Sequence, residues 1–455
     1  MPERFGGGSE TQVHPIIVLA MLLAAALILF VPRKRVIVPF LAAVLLIPMD
    51  QVLVLGPFHF PMLRLLIALG WVPMLLRSTP GERIFSGGFN GMDKAVVFWA
   101  GFTAIATVAL WQDTAALNNQ AGLLYTVFGL YFVLRSLVRD EQDVQRAISA
   151  LAYVSAVIAV IMVVEQITHH NPYVLLGGSR AWTRETLMVR EGGLRSLGPF
   201  QHPILAGVFG AISLPLFVGL WWKRGSARAA VLGILASTII VVTSESSTPL
   251  LAYLGGIFAL CMWPLRRQMR IIRWGLLIAL IGLHLVMKAP VWALIARIDL
   301  TGGSSSYHRY MLVDQCIRHF SDWWLLGVKE TASWGWDMWD LANQYVAVAD
   351  TTGLIPLIFF LAILVFGFKY LGRARKAVEG ERQQERFIWA LCAALFANCV
   401  AFFGISYSDQ TMVSWYLLLS IIWAVAKSPG RATERASTLA ELGPTRIEPD
   451  QLPAF

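Results

Sequence analysis

Charge is scarce in this sequence. Of 455 residues 28 are acidic and 37 basic, 14% in all, against 57% hydrophobic, a balance that excludes an ordinary soluble enzyme. Cysteine is scarcer still: Cys261, Cys316, Cys392 and Cys399 are scattered, which leaves neither a disulfide framework nor a metal quartet. No internal repeat is visible, which tells against a transporter built from two related halves. The first apolar run lacks a basic leader and a small-residue cleavage site, so a retained helix is expected there rather than a removed signal peptide.

Uncharged apolar sequence is what the chain has in abundance, in runs of about 20 residues, the length that crosses a bilayer. The runs 13–31, 36–55, 60–76, 95–111, 119–138, 147–167, 200–222, 229–243, 248–264, 271–288, 341–368, 387–404 and 411–426 predict an all-α polytopic membrane protein of about 12–13 transmembrane helices. The expected organisation is a bundle over 1–288 that includes a loop at 168–199, a large loop at 289–340, further spans over 341–427, and a disordered tail over 428–455.

Charge fixes the orientation. Counted from the N-terminus, the odd connections carry Arg33, Lys34 and Arg35, then Arg77, Arg83 and Lys94, then Arg139 and Arg146. Lys223, Arg224 and Arg228 follow, then Arg266, Arg267, Arg270 and Arg273, and finally Lys369, Arg373, Arg375, Lys376, Arg382 and Arg386. The short even connections 56–59, 112–118, 244–247 and 405–410 hold no Lys or Arg. The positive-inside rule therefore predicts cytoplasmic odd loops, an external N-terminus and a cytoplasmic C-terminus. The net charge of +9 is then mainly topology, and no nucleic-acid partner is expected.

The long even loops, 168–199 and 289–340, lie outside on this scheme. In the second, Gly302-Gly303-Ser304-Ser305-Ser306 leads into a stretch with helical period, a helix start suited to an anion. His308 and Arg309 stand in that first turn, where positive charge opposes the helix dipole. At about 100° per residue, Asp314, Gln315, Arg318, His319 and Asp322 share a face with His308, whereas Tyr310, Val313, Cys316, Ile317 and Phe320 share the other with Arg309. A guanidinium on the apolar side needs a partner; the plainer reading is a carboxylate such as Asp299 or snorkelling to water. In the first long loop Arg184, Arg190 and Arg195 suit a phosphodiester or pyrophosphate, and anchoring to lipid headgroups is the alternative. Arg64 and Asp50, inside apolar runs, are further candidates. Trp323, Trp324, Trp334, Trp336 and Trp339 read first as an interfacial belt and second as a sugar-stacking platform.

Four stretches together resemble bacterial O-antigen ligases and polysaccharide polymerases. They are Arg-x-x-Gly-x-Phe-x-His-Pro from Arg195 to Pro203, the 243–249 turn, the 321–328 stretch ending Leu326-Gly327-Val328, and Asn343-Gln344-Tyr345 ahead of Gly353-Leu354. The resemblance covers roughly 153–370, and it is the order and spacing of the motifs that make it specific.

The resemblance implies a GT-C-like, metal-independent inverting glycosyltransferase without cofactor, in a bacterial inner membrane with its active face periplasmic. Its donor would be a glycan on undecaprenyl pyrophosphate, its acceptor a glycan or a lipid A core, and its surroundings membrane lipid. Carried over, Arg195 and Arg309 hold the pyrophosphate, while Arg190, His202, Glu245, His308, Asn343 and Tyr345 become substrate-binding candidates. The first loop between helices, 56–59, has no acid to hold a metal. The family's histidine before the asparagine is Ala342 here, so the base that activates the acceptor must be another group: Asp340 first, or Glu245, His308 or Asp350. Rival readings are a flippase for lipid-linked oligosaccharide and a non-catalytic glycolipid-binding relative.

Overall fold

The computed structural model describes residues 11–56, 58–76, 85, 87–177, 189–190, 193–297 and 305–441, with the side chains of 55, 58, 189–190, 305 and 428–441 excepted. Arg184 and Asp299, and the backbone of 301–304, lie outside the described residues, as does the side chain of Arg190.

Helices dominate. In chain order they are α1 (Pro15–Phe30), α2 (Ile37–Leu46), α3 (Met62–Leu76), α4 (Gly91–Trp111), α5 (Thr114–Leu137), α6 (Glu141–Thr168), α7 (Pro203–Leu220) and α8 (Ala227–Thr243). There follow α9 (Ser247–Cys261), α10 (Met269–Val286), α11 (Ser305–Arg318), α12 (Phe320–Trp323), α13 (Gln344–Thr352), α14 (Leu354–Ala377), α15 (Arg382–Ala401) and α16 (Thr411–Glu441). Six of them, α4, α5, α6, α7, α10 and α14, are long and apolar enough to cross a membrane, and α1, α3, α8, α9 and the first part of α16 are shorter apolar helices. Their starts are set by local chemistry: Asn90 and Asp93 form a capping box on α4, and Asp113 and Asp140 cap α5 and α6.

Every expected span contains a helix, and three boundaries differ. The run 36–55 is helical only to Leu46; β1 (Val52–Leu55) then pairs antiparallel with β2 (Phe58–Pro61) about Gly56, whose φ is +60°. Alternating β-branched and aromatic residues around a glycine favour a hairpin over continued helix. The run 341–368 breaks at Gly353, where φ is +90°. The last helix continues to Glu441, beyond the expected start of the tail at 428.

α7 is the central helix, buried on nearly all its residues and packed on α8, α9 and α15. The basic loops meet one another at one end of the bundle. Arg33 and Arg139 both donate to the Ser136 carbonyl, Arg146 to the Lys34 carbonyl, and Gln145 to the Arg224 carbonyl. Lys223 reaches Glu141 and Gln384, while Arg266 and Arg375 share the Glu385 carboxylate at 3.0 and 2.9 Å. At the opposite end the loops without basic residues join the 168–177 and 195–203 stretches: the Gln51 amide donates to the Leu176 and Gly177 carbonyls, and the Tyr173 hydroxyl to Leu46.

The segment between α10 and α14 has a small core of its own, made of Leu312, Cys316, Trp323, Met338, Val346 and Ala349. Two of its turns mate backbone to backbone. A Cβ on Gly327 would stand 2.4 Å from the Thr351 carbonyl carbon, and one on Gly353 would stand 2.6 Å from the Leu325 oxygen. Val328 N–H donates to Asp350 O at 2.7 Å and Leu354 N–H to Trp324 O at 2.8 Å. The faces of α11 differ from the helical-wheel expectation: Arg309, Leu312 and Cys316 are buried, but so is Asp314, while Ile317 and Phe320 are exposed. The cause is Trp292, from the 3-10 turn Val291–Arg297, whose Nε1 donates to Asp314 Oδ1 at 3.0 Å and draws that side of the helix inward. Trp292 also stacks on His284 in the last turn of α10, a helix with no buried residue.

Candidate functional site

Three chain segments far apart in sequence converge at the end of the bundle away from the basic loops. The first is the turn 195–203 that enters α7. Its N–H groups are taken up by polar residues at the ends of neighbouring helices. Glu165 Oε2, in the last turn of α6, accepts from the Leu197 and Gly198 N–H groups at 3.1 and 2.8 Å. Gln166 Oε1 accepts from the Ser196 hydroxyl at 2.8 Å, and Ser196 N–H donates to the Thr243 carbonyl at 3.0 Å. From the far side, Asp409 Oδ2 accepts from Gln201 N–H at 3.0 Å, and the Gln410 amide donates to the Pro199 carbonyl at 3.0 Å. A turn held on so many sides presents Arg195 in a fixed direction.

The second segment is the turn 244–248 that enters α9. It closes tightly because α7 carries Gly207, where a Cβ would lie 2.3 Å from Ser244 Oγ and 2.6 Å from Pro249 Cγ. Arg195 Nη2 donates to Ser246 Oγ at 2.7 Å. The third segment, α11, sends Arg309 to the same turn: its Nη2 donates to Thr248 Oγ1 at 2.7 Å and to Ser247 Oγ at 3.3 Å. Two guanidiniums thus end on three consecutive hydroxyl residues at the N-terminus of a 15-residue helix, whose dipole adds partial positive charge. Thr248 also donates to the Gly404 carbonyl at 3.3 Å, which brings the last turn of this end to the same place.

His202 caps α7, its Nδ1 accepting from Ile204 N–H at 3.1 Å. Burial, with Arg195 close by, pushes its pKa down to about 4. It is therefore neutral at pH 7 with its proton on Nε2, a hydrogen-bond donor. Glu245 occupies the left-handed region at φ +41°. Its Oε1 accepts from Gln166 Nε2 at 3.3 Å, and its carboxylate lies against Gly193, where a Cβ would fall 1.8 Å from Oε2.

The remaining expected site residues lie elsewhere or serve the fold. His308 Nε2 is 2.9 Å from the Asp337 carbonyl oxygen. Asp340 stands beside His308 and Asp337; the chain around its carboxyl raises its pKa and His308 opposes the rise. Among the described contacts Asp340 does not join the arginine cluster. Asn343 is 1% exposed and caps α13, accepting from Tyr345 and Val346 N–H at 3.0 and 3.2 Å. The Tyr345 hydroxyl donates to the Cys399 carbonyl at 3.1 Å among Phe360, Phe402 and Phe403. Both are committed to packing this part of the fold, so neither presents a polar group to the cluster. The backbone of Arg190 pairs in a short ladder with Gly193. Arg64 donates to the His59 carbonyl at 2.6 Å and anchors the hairpin β1–β2. Asp350 is 1% exposed, with its pKa raised to about 7 by burial and held back by a hydrogen bond with Cys316.

Sequence reasoning missed Glu165, Gln166, Asp409 and Gln410, which aim the first turn. A carboxylate inside an apolar run is itself a signal, and Glu165 lies in the run 147–167. Among the described residues no three His, Cys, Asp or Glu side chains are grouped to hold a metal ion. Compared with protein-family models and with curated proteins, the chain matches none, so a functional reading has to rest on the arrangement of these side chains.

Proposed function

We propose that the arginine cluster binds the diphosphate of a lipid-linked glycan. On this reading the protein is a GT-C-like, metal-independent inverting glycosyltransferase of the O-antigen ligase and polysaccharide polymerase type. It works on the periplasmic face of a bacterial inner membrane, taking its glycan from undecaprenyl pyrophosphate and passing it to a glycan or a lipid A core. The observation that carries the reading is that Arg195 and Arg309 reach adjacent hydroxyls, on Ser246 and on Ser247 and Thr248, at one helix N-terminus.

Guanidinium matches phosphate oxygens bidentately and stays charged at any physiological pH. Two such groups, fixed before the reaction, stabilise the charge that develops on a departing diphosphate without reorganising. The hydroxyls of Ser246, Ser247 and Thr248 accept from them and hold both guanidiniums at one turn. Neutral His202, with an N–H to offer, adds a donor beside Arg195. His308 on α11 and Asp340 on the loop that follows α12 stand together and supply polar groups for the sugars.

The test is reconstitution with undecaprenyl-pyrophosphate-linked oligosaccharide. Arg195→Ala and Arg309→Ala are each expected to lower transfer by about 100-fold or more, with the protein still inserted and folded. Near-normal transfer in either variant removes that arginine from the diphosphate site. The product also separates the rival activities. Elongated lipid-linked glycan identifies a polymerase, transfer to core a ligase, donor movement between leaflets a flippase, and binding without product a glycolipid-binding protein.

A further inference from the structure

An attacking hydroxyl has to lose a proton, and the structure narrows which group receives it. His202 is committed: Nδ1 takes the Ile204 N–H, which leaves Nε2 protonated and unable to accept. Asp350 is buried to 1% exposure and bonded to Cys316 behind the core of the 305–349 segment. Asp409 is spent on Gln201 N–H and on the start of α16. Glu165 carries the Leu197 and Gly198 amides. Asp340 lies with His308 and Asp337, and among the described contacts it does not reach the turn that both arginines touch.

Glu245 is different on every count. It immediately precedes the residues that receive Arg195 and Arg309, and it is half-buried rather than sealed. Among the described residues its carboxylate has one hydrogen-bond partner, the neutral Gln166 amide on Oε1. Its backbone holds a left-handed conformation at φ +41°, which costs a non-glycine residue roughly 1 kcal/mol or more and tends to persist where function requires it. Gly193 leaves the space that Oε2 occupies, since any Cβ there would overlap it. Backbone strain and the missing side chain opposite hold one carboxylate oxygen against Gly193, on the residue next to those that receive Arg195 and Arg309.

Resting on the glycosyltransferase reading above, we propose that Glu245 is the base that accepts the proton of the acceptor hydroxyl. The acceptor oxygen forms its bond to the anomeric carbon as the bond from that carbon to the diphosphate oxygen breaks. The electron pair of the broken bond leaves with the diphosphate, held by Arg195 and Arg309. The hydroxyl proton passes to the Glu245 carboxylate and from there to water, and no oxidant, reductant or further reactant is needed. Gln166 acts as a positioning residue, holding Oε1 so that Oε2 faces the acceptor.

The experiment measures donor binding and single-turnover transfer separately, in nanodiscs loaded with undecaprenyl-pyrophosphate-linked oligosaccharide. Glu245→Gln is expected to bind donor within about threefold of the parent protein while transfer falls by about 100-fold or more. Glu245→Asp should keep transfer at a reduced rate above that of Glu245→Gln, and serves as the test if Glu245→Gln does not fold. Transfer by Glu245→Gln within about threefold overturns the assignment and leaves the diphosphate site standing. Loss of donor binding in Glu245→Gln also overturns it, by making Glu245 a part of the anion site. If the parent protein itself does not bind the donor, the glycosyltransferase reading falls, and the base with it.

Discussion

At the scale of single residues, the closeness of Arg195 and His202 has a measurable sign. Arg195 helps to hold His202 near a pKa of about 4, so Arg195→Ala should raise that value, and a histidine titration followed by NMR would show the shift. Asp350 runs the other way. Its folded carboxyl is raised to about 7 from an ordinary value of 3.8. The native state therefore holds an extra proton between those values, and the stability this contributes is complete below about pH 4 and lost as pH rises through about 7. Asp350→Asn cannot ionise, so its unfolding temperature relative to the parent should climb between pH 5 and pH 8. A flat difference across that range would mean that Asp350 is ionised throughout. Arg195, Arg309 and Glu245 were legible in the sequence as arginines and a carboxylate in loops. That the two arginines meet was expected only from the resemblance, and the turn they share at 246–248 was not legible at all, because nothing in local pattern ties residue 195 to residue 309.

Among the elements, the turns between helices determine the site, and glycine is what lets them approach. Gly207 faces Ser244 and Pro249 at distances that leave no room for a methyl group. Gly207→Ala should push the 244–248 turn off α7, at a cost of about 1–3 kcal/mol. Donor affinity should fall although neither arginine has been touched, and equilibrium binding to nanodisc-embedded protein would measure it. Apolar runs showed where the helices lie, since length and hydropathy are read directly along the chain. They did not show the hairpin at 52–61 or the break at Gly353, where a glycine with positive φ overrides an otherwise apolar stretch. Nor did helical periodicity show that Asp314 is buried, because its cover, Trp292, comes from a separate turn.

Over the whole molecule, the loops with Lys and Arg interlock at one end and the arginine cluster lies at the other. Charge counting anticipated this segregation, since it needs only the order of loops along the chain. A single cysteine placed at Ser408 should therefore react with a membrane-impermeant thiol reagent from the face opposite to one placed at Gln268, in a background freed of the native thiols. Labelling of both from one face would break the topology that sets the cluster opposite the basic loops.

One consequence belongs to α10. No residue of this helix is buried and it packs chiefly on the 291–297 turn, so a thicker hydrocarbon layer would draw it more upright. The pull has a route onward, through the His284–Trp292 stack and the Trp292–Asp314 hydrogen bond to the helix that bears Arg309. On the proposed reading, lipid chain length thereby becomes a dial on how firmly this guanidinium would grip a diphosphate.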